Sequence, residues 1–178
     1  MIYRTKLKVP FPLLNDLYAC HIRACEAVNA PRGEARMVFH TCIDVASTCG
    51  IIVLYTPEPV NKDSQLFRPK PPFTFMARLN PVKVSGGKRV PLLERAEIER
   101  FVIDKLEPFH VDVSTLHISG RYEQKFKKPG GHIVTINTVL VRGETPELPK
   151  NFETLLLKGI GREKAFGYGT FHLFERKN

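Results

Sequence analysis

The apolar residues change period repeatedly along this chain, and they do so in one order in each half. Residues 2–9 alternate apolar and polar, the two-residue period of a half-buried strand. Pro10 and Pro12 remove backbone donors and stop it. Leu17, Cys20, Ala24 and Val28 then recur at helical spacing, with Asn15 or Asp16 placed to cap the first turn. Pro31, Arg32 and Gly33 end that helix. Strands are predicted over 36–45 and 50–57, a short helical piece around 62–67, and a strand through the strictly alternating Phe73, Phe75, Ala77 and Leu79.

The second half repeats the order. Lys88 to Pro91 reads as a short strand. Ile98, Phe101, Val102 and Leu106 line one face of a helix over 92–107. Residues 111–125 and 132–142 read as a long hairpin around Lys127, Lys128, Pro129, Gly130 and Gly131. A helix over 150–158 and a strand over 168–175 close the chain. The fold class this predicts is α+β: two tandem ferredoxin-like (RRM-like) β-α-β-β-α-β units with antiparallel sheets and helices on one face. The division is placed at residue 84, giving units of 1–84 and 85–178. The two units share order only, not residues.

Charge narrows the partner. Lys plus Arg number 27 against 18 Asp plus Glu, a formal charge of +9. Such an excess favours an anionic partner, nucleic acid before membrane. No basic helix carries the bulky apolar face that a membrane surface selects. The apolar run Gly50–Tyr55 is far too short to span a bilayer, and MIYRTKLKVP lacks the apolar core of a signal peptide. A cytosolic protein is expected, without a membrane partner. Cysteines at 20, 25, 42 and 49 form no Cys-x-x-Cys pair and do not suit structural zinc. Neither a metal nor a cofactor is called for.

Three stretches can carry chemistry. The first is residues 158–169, where Gly159, Gly161, Gly167 and Gly169 alternate with Lys158, Arg162 and Lys164. Glycines let a backbone approach phosphate, and cations add charge. It is no Walker loop, lacking Gly-Lys-Ser/Thr, and no dinucleotide fingerprint, since it follows a helix. The alternative is a turn closed by a glycine cap. The second is Tyr18 with His21, a phenol and an imidazole on one helix face. RNA brings its own nucleophile, the 2′-hydroxyl, so cutting it needs only a proton acceptor and a donor, and histidine titrates in range for either. The alternative is that both merely pack. The third is the hairpin 120–132, with Arg121, Lys125, Lys127 and Lys128 near its tip. A basic ribbon suits a nucleic-acid groove, and a solvated tip accounts for it equally.

Rival catalytic sets are absent: there is no His-Glu-x-x-His and no Gly-x-Ser-x-Gly. Glu94, Glu97 and Glu99 alternate with arginines and read as a charge-laced surface. His40, His110, His117, His132 and His172 stand apart in the sequence and read as structural or surface residues.

Taken together, Asp16-Leu17-Tyr18-Ala19-Cys20-His21, then FTFMARLNPVKV with KRVPLLERAE, then LLLKGIGREKAFGYGTFHLFE resemble the CRISPR-associated repeat-RNA endoribonucleases of the RAMP superfamily. The nearest likeness is to the E-subtype that serves the Cascade surveillance complex, and type IV systems carry similar nucleases. The resemblance implies two ferredoxin-like units and metal-independent cleavage of precursor CRISPR RNA at the base of a repeat stem-loop. It implies 5′-hydroxyl and 2′,3′-cyclic phosphate products. It matches Tyr18 and His21 to the family's catalytic pair, with His21 as acid or base and Tyr18 orienting the 2′-hydroxyl or stabilising the phosphorane. The family's inserted hairpin corresponds to 120–132, and the expected partners are the repeat stem-loop and other subunits of a Cascade-like complex. A non-catalytic RNA-binding subunit of such a complex is the alternative.

Overall fold

The computed structural model describes residues 1–30, 38–161 and 164–175. The first sheet is built from β1 (Tyr3–Val9), β2 (Phe39–Asp44), β3 (Cys49–Thr56) and β4 (Gln65–Leu66), in spatial order β2-β3-β1-β4. The second contains β5 (Phe73–Leu79), β8 (His117–Ile118), β10 (Ile133–Thr145) and β11 (Phe171–Glu175), in order β11-β5-β10-β8. Every pairing is antiparallel. Each sheet thus lies in the order fourth-first-third-second, the arrangement of a ferredoxin-like unit, as the repeated order predicts.

Three expectations are corrected. Phe73–Leu79 does not close the first unit. It opens the second, lying between β10 and β11. The change of sheet therefore falls between Leu66 and Phe73, ahead of residue 84. Lys88–Pro91 (β7) pairs only with Val82–Ser85 (β6), as a small hairpin outside both sheets. No helix forms at 62–67. The Ser64 hydroxyl takes the N–H groups of Val60 and Asn61, and the Asn61 side chain takes that of Asp63, so local side chains hold a turn instead. Phe67 is buried, with its N–H on Ile2 O, which extends the strand pairing of β4.

The first helix, α1 (Leu17–Ala27), starts where Asp16 accepts the N–H groups of Tyr18 and Ala19 at 2.9 and 3.1 Å. Its stripe of Leu17, Cys20 and Ala24 is fully buried: Cys20 and Ala24 lie against one face of the first sheet, over Val9, Phe39, Ile52 and Leu54, while Leu17 packs against residues of the second half. On α2 (Arg95–Leu106), Ile98, Val102 and Leu106 are buried, while Lys83–Glu97 and Arg95–Glu99 pair on its surface at 2.6 and 2.7 Å. The acidic residues of that helix are thus a charge-laced face, as the alternation with arginine suggests. The larger core joins both sheets: Ile51, Val53 and Tyr55 of β3 share it with Phe73 and Phe75 of β5 and with Leu155 and Leu156 of α3 (Phe152–Lys158). Among the described residues no helix is long and apolar enough to cross a membrane.

Two histidines read as separate meet at the seam between the sheets. The rings of His40 and His172 stack 4.7 Å apart, and His172 Nδ1 shares a hydrogen bond with the Tyr55 hydroxyl at 2.9 Å. Burial, with Arg78 adding to it, pushes His40 from 6.5 down to about 4. Burial, then His40, Arg4 and Lys6, pushes His172 down to about 2. The unfolded chain therefore binds protons that the folded chain rejects. Stability is highest above the unfolded value of 6.5 and falls as pH drops through the window toward 4, continuing for His172 below that. Chemical denaturation at about pH 7.5 and about pH 5 measures this: the midpoint falls at the lower pH, and His172→Phe flattens the dependence.

Candidate functional site

The first turn of α1 presents Tyr18 and His21 on one face, with ring centroids 6.4 Å apart and planes tilted by 52°. Both are half-buried, so each keeps an accessible edge. His21 meets two further elements. Phe166, in the short 3-10 turn Lys164–Phe166 of the glycine-rich stretch, presents an edge to it at 6.1 Å. Cys25, one helical turn on, places its sulfur 3.6 Å from Nε2 and 3.8 Å from Nδ1. The thiol is thus within sulfur hydrogen-bonding distance of the imidazole and packs against its ring.

The hairpin of β9 (Tyr122–Lys127) and β10 supplies the third wall. Strand alternation decides which residues reach α1. Phe126 pairs with Val134 and faces the helix, packing with Leu17, Ile136, Phe166 and Tyr168. Lys125 and Lys127 fall on the opposite face of the ribbon. Lys128 lies past the end of the strand, where its N–H bonds His132 O. Its ammonium stands 5.0 Å from the centre of the Phe166 ring. Burial lowers the His21 pKa from 6.5, and the Lys128 charge lowers it further. The imidazole is thus held neutral and ready to accept a proton, beside a cation able to hold an anion.

The three stretches singled out in the sequence converge here, though not with every residue. Arg121 donates to Asn137 Oδ1 and lies 3.7 Å from Glu123. Lys125 lies 3.6 Å from the same carboxylate. In the glycine-rich stretch, backbone packing uses most of the glycines. The Gly159 N–H bonds Leu155 O, the Gly167 N–H bonds Lys164 O, and the Gly169 N–H bonds Arg78 O at 2.6 Å. Those three donors are committed within the chain and do not form a phosphate cradle. Gly161 is exposed with open space around it, and Lys158 is exposed at the end of α3. The Lys164 ammonium donates to Gly159 O at 3.2 Å. Arg162 lies outside the described residues. Among those described, no cluster of three or more His, Cys, Asp or Glu side chains could hold a metal.

Sequence reasoning missed Phe166, Phe126 and Cys25. Cys25 was findable, being four residues from His21 on the same helix. Phe166 stands out only as an apolar residue between glycines and cations. It also missed Tyr168, whose buried hydroxyl lies 2.5 Å from Thr138 Oγ1 and donates to Gln124 Oε1 at 3.0 Å, tying the glycine-rich stretch to the hairpin.

Residues 56–173 match the family model described as CRISPR associated protein. Among solved structures, CRISPR endoribonuclease Cse3 bound to a 19-nucleotide RNA superposes with a TM-score of 0.72 at 23% identity, covering 97% of this chain and 99% of that one. Cas6e from Escherichia coli K-12 gives 0.64 at 22% identity, covering 98% and 100%. A chain of a CRISPR RNA-guided surveillance complex gives 0.66 at 18% identity, covering 96% and 98%. Identities this low carry the fold and not the activity. No curated protein sequence matches the chain.

The glycines give a direct test of how this site is held. A Cβ on Gly169 would lie 1.7 Å from Ile160 O at a φ of +71°, whereas one on Gly161, at +73°, meets nothing within 4 Å. Gly169→Ala is expected to cost upward of about 3 kcal/mol and Gly161→Ala about 1 kcal/mol, the left-handed penalty alone, by denaturant titration.

Proposed function

The chain belongs to the CRISPR-associated protein family, and from that premise we propose that it is a metal-independent endoribonuclease that binds the repeat stem-loop of precursor CRISPR RNA and cuts at its base. The observation that supports this reading is the meeting of Tyr18, His21 and Lys128 around Phe166, three segments far apart in sequence brought to one half-buried site. The relatives named above include an endoribonuclease bound to RNA and a member of an RNA-guided surveillance complex, which favours the repeat RNA and other complex subunits as partners.

In this mechanism the neutral His21 imidazole takes the proton of the 2′-hydroxyl at the cut site. The 2′-oxygen attacks the adjacent phosphorus. The Lys128 ammonium holds the charge that builds on the phosphorane, and the Tyr18 hydroxyl orients the attacking 2′-hydroxyl. The P–O5′ bond then breaks, and the leaving oxygen takes a proton from solvent. The products are a 2′,3′-cyclic phosphate and a 5′-hydroxyl. The hairpin, with Arg121, Lys125 and Lys127 on its outer side, holds the stem; Lys158, Gly161 and Arg162 offer contacts to its backbone, with Gly159 and Lys164 shaping the turn behind them.

The test is cleavage of the repeat stem-loop in excess chelator. His21→Ala is expected to slow cleavage by about a hundredfold to ten-thousandfold, the worth of one proton-transfer group, with binding retained. A 2′-deoxy substitution at the cut site should abolish product, and an unchanged rate there would rule the mechanism out. Tight binding by the wild type with no cleavage would instead indicate a non-catalytic subunit.

The pH profile checks the role of Lys128. Because the folded His21 pKa lies below 6.5, the rate should rise with a midpoint on the acid side of that value and then level. Lys128→Ala removes the repelling charge, so the midpoint should move to higher pH while the plateau falls.

A further inference from the structure

On the face of the first sheet away from α1 runs a groove of about 520 Å³, floored by β1, β2 and β3 and walled by β11. Alternation along β1 sends Arg4, Lys6 and Lys8 into it, at about 7 Å from one to the next. Among the described residues none of the three is in an ion pair with a carboxylate. Asp44, at the rim, is engaged by the Ser47 hydroxyl and the Ala46 N–H at the β2–β3 turn. Beyond Arg4 no strand among the described residues lies beside the outer edge of β1, since β4 pairs only with Tyr3 and Arg4. Arg4, Lys6 and Lys8 therefore line both the groove and a second hollow along that edge, which Arg23, Asp63 and Gln65 also line.

The opposite wall is aromatic. Phe174 is 37% exposed and stands edge-on to His172 at 4.3 Å. His172 in turn stacks on His40 and is hydrogen-bonded to Tyr55. The exposed ring thus rests on a rigid, buried stack. Arg4 lies over the Phe67 ring at 4.9 Å and Lys8 draws on the Asp44 charge, yet no carboxylate pairs directly with any of the three among the described residues. A row of such cations opposite a fixed aromatic ring is the combination that binds single-stranded nucleic acid, with phosphates on the cations and a base on the ring. A duplex would present no free base face to Phe174, and an acidic peptide would gain nothing from it.

We propose that this groove is a second RNA site, taking a single-stranded segment that flanks the stem-loop, with Arg4, Lys6 and Lys8 on successive phosphates and Phe174 stacked on a base. It rests on the reading of the chain as a repeat-RNA nuclease, and it lies on the side of the first sheet opposite the helix that carries Tyr18 and His21. The cations are spaced like the phosphates of an extended, unstacked strand, which is the form the groove would select.

The experiment compares binding of the full chain to a repeat stem-loop alone and to the same stem-loop carrying an oligouridine extension on its 5′ or its 3′ side. Wild type is expected to bind one extended RNA about tenfold more tightly, the worth of one stacked base with its neighbouring phosphates. The Lys6→Ala/Lys8→Ala double variant should lose that gain and lower the salt slope for the extended RNA by about 1.4, or two phosphates. Phe174→Ala should lose the gain without changing the slope. Neither should alter binding or cleavage of the bare stem-loop. These residues are exposed, and an unchanged thermal midpoint shows that the variants fold.

Equal affinity of wild type for bare and extended RNA overturns the proposal. So does a loss of bare stem-loop binding in the variants, which would make the cations part of the stem site. If the variants leave RNA binding untouched but release a protein subunit of the complex, the groove is a protein interface. Failure of the wild type to bind or cut the stem-loop, with oligouridine still bound in the groove, sinks the nuclease reading and leaves this site standing.

Discussion

The Gly169 backbone is bonded on both sides, and the site depends on it. Its N–H reaches Arg78 O of β5, and its carbonyl receives the Ile160 N–H at 2.7 Å. The glycine-rich stretch is thereby laid against the second sheet as if it were a further strand, at a separation no side chain allows. Phe166 is carried to α1 by that attachment, and Phe166 is where His21 and Lys128 meet. The glycines of this stretch read in sequence as donors for a ligand. In the fold they are mostly spacers that let backbone meet backbone, and the ligand-facing work passes to side chains.

A buried aromatic cluster then couples the two halves. Leu17 of α1 and Phe126, Ile136, Phe166 and Tyr168 of the second half pack together. Each is close to fully buried, worth about 1.5–3 kcal/mol apiece against exposure. Surface ion pairs, at about 0–1 kcal/mol, could not fix the geometry of a proton-transfer pair to the same degree. The apolar cluster holds the geometry, and the charged groups around it remain able to respond to a bound anion.

Much of this was legible in the residues. The α1 stripe and its cap followed from spacing and from one Asp, because those interactions are local. The alternation of Phe73–Leu79 identifies a strand but not its sheet, because alternation tells which face is buried and not which strand lies alongside. The piece at 62–67 failed for a related reason: Ser64 and Asn61 satisfy the backbone by themselves, and a turn wins over a helix with no apolar stripe to bury. His40 and His172 looked isolated because they are 132 residues apart by numbering, and only the packing of β11 against β3 and β2 joins them. The pair Tyr18 and His21 was visible, but its neighbours Phe166 and Lys128 come from other elements and had no sequence signal of adjacency.

The hairpin shows how tightly packing and chemistry are tied. Phe126 faces α1, so by alternation Lys125 and Lys127 face away, and only Lys128, past the strand end, escapes the rule. A slip of one residue in β9 would turn Lys127 toward the helix and expose Phe126. The cost of unburying a phenylalanine therefore guards the position of the one lysine that acts on His21. The outward lysines are under no such constraint. Lys125 already leans on Glu123, a contact weak enough that a phosphate can displace it. Charge on the outer side of the ribbon can change with little consequence for the fold, whereas the buried phenylalanine fixes the register that places the tip lysine beside Phe166.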